Sequence, residues 1–209
     1  MMKTITLIVF LLLCTTVAAQ ENVEVPESKK LYLKANAVFL PVGIINAGAE
    51  YQLSEKMTIQ GDVFISPWKS VLGKYAQMYM LGFDARYYFE GAFNKWYVGA
   101  NISGAKFIMQ KWNYWSDGPY QLTENSPIYV TSDLYQDGFA FALGATVGYQ
   151  FPISERWNMD IFAGGGFFNS YYKGFHKTLD VRYDEITGWN KSSEWIPYRG
   201  GVMFSYKLK

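Results

Sequence analysis

The sequence predicts an all-β chain, an eight-stranded antiparallel up-and-down transmembrane β-barrel, and three observations carry that expectation. The first is residues 138–151, where Phe139, Phe141, Leu143, Ala145, Val147, Tyr149 and Phe151 alternate with Ala140, Ala142, Gly144, Thr146, Gly148 and Gln150. Successive side chains of a strand point to opposite faces, so one face here is large and apolar and the other small and mildly polar. Lipid outside and a narrow packed lumen inside require such faces, and the run covers the roughly 9–11 residues a tilted strand uses to cross a bilayer. The second observation is that the pattern recurs until eight strands are counted. The third is that the connections alternate between short and long along the chain, as in barrels of this kind.

The strands follow in order. Residues 31–40 set Leu31, Leu33, Ala35, Ala37 and Phe39 against Tyr32, Lys34, Asn36 and Val38, and Pro41-Val42-Gly43 turns the chain. Residues 45–53 set Ile45, Ala47, Ala49, Tyr51 and Leu53 against Asn46, Gly48, Glu50 and Gln52; residues 57–65 turn Met57, Ile59, Val63 and Ile65 out and Thr58, Gln60 and Asp62 in. Residues 75–89 alternate Tyr79, Leu81, Phe83, Ala85, Tyr87 and Phe89 with Met80, Gly82, Asp84, Arg86 and Tyr88. Residues 96–109 begin cleanly with Trp96, Val98, Ala100 and Ile102 on one face, but the facing around Lys106 is not set by the pattern. After the strand at 138–151 come residues 157–168, with Trp157, Met159, Ile161 and Ala163 against Asn158, Asp160, Phe162 and Gly164, and a last strand over 196–208. Long outer loops are expected at about 110–137 and 171–194, with the stretch 178–183 alternating enough to extend a strand. Gly99, Gly144, Gly148, Gly164 and Gly166 fall on the inner face, where a small barrel needs small residues. No long stretch has the 3.6-residue period of a helix.

The 209 residues suit one domain. With 19 Lys and Arg against 18 Asp and Glu, the basic excess of a nucleic-acid binder is missing, and no nucleic-acid partner is expected. Mean hydropathy of -0.06 is what interleaved apolar and polar faces average to. Residues 1–19 read as a secretory signal peptide, from Lys3 and the run Ile5–Leu13 to Val17-Ala18-Ala19, a run too short to span as a helix. The sole cysteine, Cys14, falls inside it, behind a Leu13 too bulky for a lipoprotein signal. Residues 20–30 form a polar lead-in, and 31–209 the barrel.

Arg199, Gly201, Phe204 and Tyr206 resemble the insertion signal of outer-membrane proteins, a polar residue, a glycine two later and two alternating aromatics, although Lys207-Leu208-Lys209 follows. The chain also resembles an uncharacterised family of small Bacteroidota outer-membrane barrels, of the OmpA/OmpX-like eight-stranded kind, that carries only a domain of unknown function. The likeness rests on residues 33–37 (L-K-A-N-A), 48–51 (G-A-E-Y), 84–89 (D-A-R-Y-Y-F) and 148–158 (G-Y-Q-F-P-I-S-E-R-W-N). It implies an outer-membrane barrel; with the N-terminus periplasmic, the short turns fall inside and the long loops are extracellular, and outer-membrane lipids and the barrel-assembly machinery are the expected partners. It brings no catalytic residues.

Lys34, Glu50, Asp62, Asp84, Arg86, Asp160 and Arg199 project into the expected lumen. An eight-stranded barrel is only wide enough for side chains to fill it, and unpaired buried charges are costly, so a sealing ion-pair network is expected rather than a pore. Tyr51, Tyr87, Phe89, Trp96, Tyr149, Trp157, Phe204 and Tyr206 suit an interfacial girdle on the periplasmic side. Trp112, Tyr114 and Trp115, with Tyr120, Tyr129 and Tyr135, sit in the first long loop; Tyr171, Tyr172, Phe175, Tyr183 and Trp189 sit in the second. Trp112, Tyr114, Trp115 and Trp189 are the candidates for gripping an extracellular glycan or protein; packing between the loops, with Trp112 and Trp115 in an outer girdle, is the plainer account.

His176, the only histidine, has Ser170, Asp180 and Glu185 near it in sequence, but a nucleophile and base must touch in space, and a solvated loop histidine is expected. Asp180, Asp184 and Glu185 lack the spacing of a calcium loop, and no metal site or cofactor is expected. The leading function is a structural or interaction scaffold displaying loops, for adhesion, envelope integrity or partner docking. The alternatives are a lipid-modifying barrel enzyme, a narrow channel, and a soluble lipocalin-like carrier, which would need the greasy face turned inward.

Overall fold

The computed structural model describes residues 29–70, 72–179, 181–184 and 188–209. The expected signal peptide with Cys14, and residues 20–28 of the lead-in, lie outside the described residues. Ten strands follow in order: β1 (Leu31–Asn36), β2 (Ile45–Gln52), β3 (Met57–Ser66), β4 (Ala76–Tyr88), β5 (Lys95–Met109), β6 (Pro119–Tyr120), β7 (Tyr129–Val130), β8 (Leu134–Pro152), β9 (Trp157–His176) and β10 (Asn190–Lys207). Among the described residues there is no α-helix.

The chain is all-β and antiparallel, as the alternation predicts. Eight strands pair in the order β1-β10-β9-β8-β5-β4-β3-β2, and the pairing of β2 with β1 returns the sheet to its start. The short β6 and β7 pair only with each other. Each strand of the ring pairs with the one that follows it in sequence except at β5 and β8, between which β6 and β7 intervene, and where β1 meets β10; that last seam holds five paired positions, Tyr32–Asn36 against Met203–Lys207. The connections of residues 53–56, 89–94 and 153–156 gather at one rim, and the longer ones, 37–44, 67–75, 110–133 and 177–189, at the other.

The two faces are reversed relative to a water-soluble barrel. Buried positions inside include Lys34, Asn36, Glu50, Thr58, Gln60, Asp62, Asp84, Arg86, Asn101, Gln150 and Asp160. The exposed face carries Leu33, Ile59, Val63, Leu81, Phe83, Val98, Ile102, Phe141, Leu143, Val147, Ile161, Phe167 and Trp195. On β5 and β8 the uncharged rungs run from Trp96↔Tyr149 through Val98↔Val147, Ala100↔Ala145 and Ile102↔Leu143 to Gly104↔Phe141, and the next rung is Lys106↔Phe139. Ten residues of strand span about 33 Å, or about 25 Å of height at an ordinary barrel tilt.

Several expected boundaries move. β1 stops at Asn36, whose side chain accepts the Val38 N–H at 3.2 Å and turns the chain into the short 3-10 turn at Leu40–Val42. β8 begins at Leu134, β9 runs on to His176, and β10 starts at Asn190, so Tyr171, Tyr172 and Phe175 are strand residues and the second loop shrinks to 177–189. The polar composition of 169–176 looks like a loop, but every residue there has a partner on β8 between Leu134 and Phe141. Among the described residues of 178–183 none extends a strand; Arg182 forms an isolated bridge back to Phe175. The alternation of β5 continues unbroken, with Ala105 and Phe107 buried inside and Lys106 outside, paired with Asp137.

Candidate functional site

The lumen is filled in layers. At the short-turn rim, Phe93 folds inward from the β4–β5 turn with φ of 66° and is 4% exposed. Its ring lies 4.5 Å from that of Tyr32 and 6.1 Å from that of Tyr88. Tyr88, Tyr97, Phe162 and Met203 pack just above.

The next layer brings together five of the seven expected lumen charges. Lys34 donates to Glu50 Oε2 and Asp160 Oδ2, both at 2.6 Å. Arg86 lies 3.2 Å from Glu50, 3.0 Å from Asp84 and 3.0 Å from Asp160. All five side chains are fully shielded from solvent. Hydroxyls complete the shell: Thr58 donates to Glu50 at 2.5 Å, Tyr88 to Glu50 at 2.8 Å, and Tyr97 to Asp160 at 2.9 Å. Arg86 also stacks 4.6 Å above the Tyr97 ring. Tyr97 fits because its cross-strand partner is Gly148, where a Cβ would run into the ring.

The remaining two charges, Asp62 and Arg199, pair one layer higher. A register shift between Pro197 and Arg199 lets consecutive side chains face the lumen, Tyr198 to Asn101 and Arg199 to Asp62. Asn101 donates to Thr146 at 2.8 Å, and Asn36 to Asn46 at 3.0 Å. A cavity of about 40 Å³, lined by Asp62 and Arg199 together with Phe39, Phe64, Met80, Phe162 and Tyr198, is room for a few waters and no more. Above it Met80, Ala105, Phe107 and Ala140 close the lumen, packed by Phe64, Met78, Met109, Phe168 and Tyr172.

The long connections form a cap. Tyr183 is 3% exposed, its ring 5.2 Å from Tyr120 and 6.4 Å from Tyr114, and it covers Gly174. Asp184 accepts from the Gly174 N–H at 2.8 Å, from Arg182 at 2.8 and 3.0 Å, and from Asn190 at 2.5 Å. Burial opposes its charge, but these donors outweigh burial and hold the carboxyl below its ordinary range. Burial pushes the Tyr183 phenol up. Gln110 ties the two ends of its own loop together, donating to Tyr114 O at 2.8 Å and Ser132 O at 2.9 Å.

The family model of DUF3575, described as a protein of unknown function, matches residues 5–208. The chain belongs to the DUF3575 family. A search of curated proteins returned no match.

Other expected site residues of this DUF3575 member separate. Trp112 and Trp115 are exposed on the cap, 83% and 56%, whereas Tyr114 packs within it and Trp189 leaves it for the outer wall, 5.2 Å from Phe139. His176 is buried, not solvated: its Nδ1 faces the N–H groups of Thr178 and Leu179 at 3.3 Å, and its ring lies 5.4 Å from Tyr129. Ser170 is six residues down the same strand, about 20 Å away. Asp180 and Glu185 lie outside the described residues, and among the described residues no cluster of three or more metal-ligating side chains occurs.

In the C-terminal pattern, Arg199 is inside, Gly201 has φ of 143° and stands where a Cβ would run into Asn36, Phe204 points out, and Tyr206 meets Trp157 edge-on at 5.0 Å at the short-turn rim. The sequence carried no signal for the Phe93 plug. The bulge before Arg199 was foreshadowed only by Pro197, a residue that cannot donate to a ladder.

Proposed function

We propose that this DUF3575 member spans an outer membrane as a closed, non-conducting eight-stranded barrel and serves as a scaffold that holds a packed cap of loops at the outer surface. The observation that carries the reading is the reversal of faces. A charge-free apolar band about 25 Å tall surrounds a core of paired charges, and such a band matches a bilayer's hydrocarbon layer. In water it would be an exposed apolar surface far larger than monomers tolerate. The sealed layers favour a scaffold over a channel, and the separation of His176 from Ser170 favours it over an acyl-transfer enzyme. Loops placed on a rigid frame are where binding resides, and the exposed Trp112 and Trp115 are its best candidates for a glycan or protein partner.

The experiment is to express the full chain, isolate outer membranes, compare gel mobility with and without boiling, and record current in planar bilayers. A membrane-bound band that migrates faster unboiled, without stable conductance, is the expected result. Soluble protein without a heat shift overturns the membrane reading; long-lived ion-selective openings overturn the sealed lumen.

A further inference from the structure

The outer wall of β5, β8, β9 and β10 carries a basic aromatic patch immediately above the apolar band. One rung reads Lys106↔Phe139↔Tyr171↔Lys191, and the rung above reads Ile108↔Asp137↔Lys173. Phe139 stacks on Tyr171 at 5.2 Å and meets Trp189 edge-on at 5.2 Å, making an aromatic floor with one raised edge. Lys191 Nζ lies 5.6 Å from the Tyr171 ring centre and Lys173 Nζ 4.9 Å from that of Trp189. The carboxylate of this patch, Asp137, is taken by Lys106. Two ammonium groups, of Lys173 and Lys191, therefore remain over the floor, held by rings, with no ion pair to a carboxylate among the described residues. The rung below reads Gly104↔Phe141↔Asn169↔Ser193, and beneath it Leu143, Phe167 and Trp195 form an apolar wall, these three and Phe141 all more than half exposed.

From this we propose that the patch is a binding site for a phosphate-bearing lipid of the surrounding leaflet. The two lysines take the headgroup phosphate, the aromatic floor takes the headgroup–acyl boundary, and the apolar wall takes the chains. A free phosphate would use only the lysines, whereas the continuity of charge, rings and apolar wall fits an amphiphile. The inference rests on the membrane reading above.

The test uses the full mature chain reconstituted in vesicles of equal phosphatidylglycerol and phosphatidylcholine. The protein is extracted into mild detergent and its retained lipid is identified by mass spectrometry. A lysine at a charged membrane surface changes partition about fivefold, so wild-type protein should retain phosphatidylglycerol preferentially, and Lys173→Gln/Lys191→Gln should cut that preference about 25-fold. Lys56→Gln, at the opposite rim, should keep it. Equal retention of both lipids, a preference unchanged in the double variant, or displacement by inorganic phosphate alone overturns the proposal. Heat-shifted mobility measured on the same samples separates the cases: protein that inserts and shifts but shows no lipid preference defeats this site only, while protein that never associates with vesicles defeats the membrane reading and the site with it.

Discussion

Lys34 Nζ lies 2.6 Å from Asp160 Oδ2, a contact that joins β1 to β9 across 126 residues of chain. The same ammonium is 2.6 Å from Glu50 on β2, so one cation holds two buried carboxylates together. Removing it leaves the two buried anions to share Arg86 alone, each short of a charge partner.

Lys34→Met should therefore destabilise the barrel by about 3–5 kcal/mol, the usual cost of stripping one partner from a buried pair. Urea denaturation in detergent, followed by the loss of the heat-shifted band, measures it. Adding Glu50→Gln to that variant should recover part of the loss, because the carboxylate left stranded is then neutral. Strict additivity of the two substitutions would show that the two residues are not coupled.

Asp84→Asn should be the mildest substitution among the lumen carboxylates. Three cations, Lys34, Arg86 and Arg199, face four carboxylates, Glu50, Asp62, Asp84 and Asp160. Among the described residues, Asp84 forms its one ion pair with Arg86, and its Oδ1 is buried without a hydrogen-bond partner. Its neutral isostere should shift stability by less than about 1 kcal/mol, whereas Asp160→Asn, which weakens contacts to Lys34, Arg86 and Tyr97, should cost about 3 kcal/mol or more. Equal costs for the two would contradict this ranking.

Gly148→Ala should cost about 1–3 kcal/mol, since the new methyl displaces the Tyr97 ring from a core with no spare room. The displaced ring should lose its hydrogen bond to Asp160 and its place under Arg86, so near-UV circular dichroism should change with the melting point. Tyr97→Ala should make Gly148→Ala nearly neutral in the double variant.

The cap should loosen in acid. Asp184 has its folded pKa depressed, so its stabilising contribution is complete above the ordinary carboxylate value near 3.8 and is lost as pH falls through the lower folded value. Pepsin cleavage within residues 177–189, followed from pH 5 downward, should accelerate over that window in wild-type protein. In Asp184→Asn, with rates divided by those for an unstructured peptide at the same pH, the connection should be cut readily throughout, with no such acid-dependent rise.

Much of the wall was legible because a two-residue period needs no knowledge of partners: Leu33, Ile59, Phe83, Val98, Phe141 and Ile161 all stand outside where alternation puts them. The same parity placed all seven lumen charges inside. Features set by contacts between distant segments were hidden. The upper halves of β9 and β10 look like loop until residues 134–141 supply their hydrogen bonds. Phe93, in a turn, gives no hint that it folds inward onto Tyr32. His176 looks solvated until Tyr129 and its own following turn cover it.

The five-rung seam between β1 and β10 has a consequence for how the wall comes to be closed. Its backbone ladder is as short as any in the ring, equalled by that of β1 with β2, yet two side-chain clasps reach past it: Lys34 of β1 grips Asp160 of β9, and Arg199 of β10 grips Asp62 of β3. Before the ends of the chain meet, those four charges are hydrated; once they meet, water must leave all four together. Closure thus works like a buckle on a belt, engaging in one step and holding a join that its own stitching would leave weak.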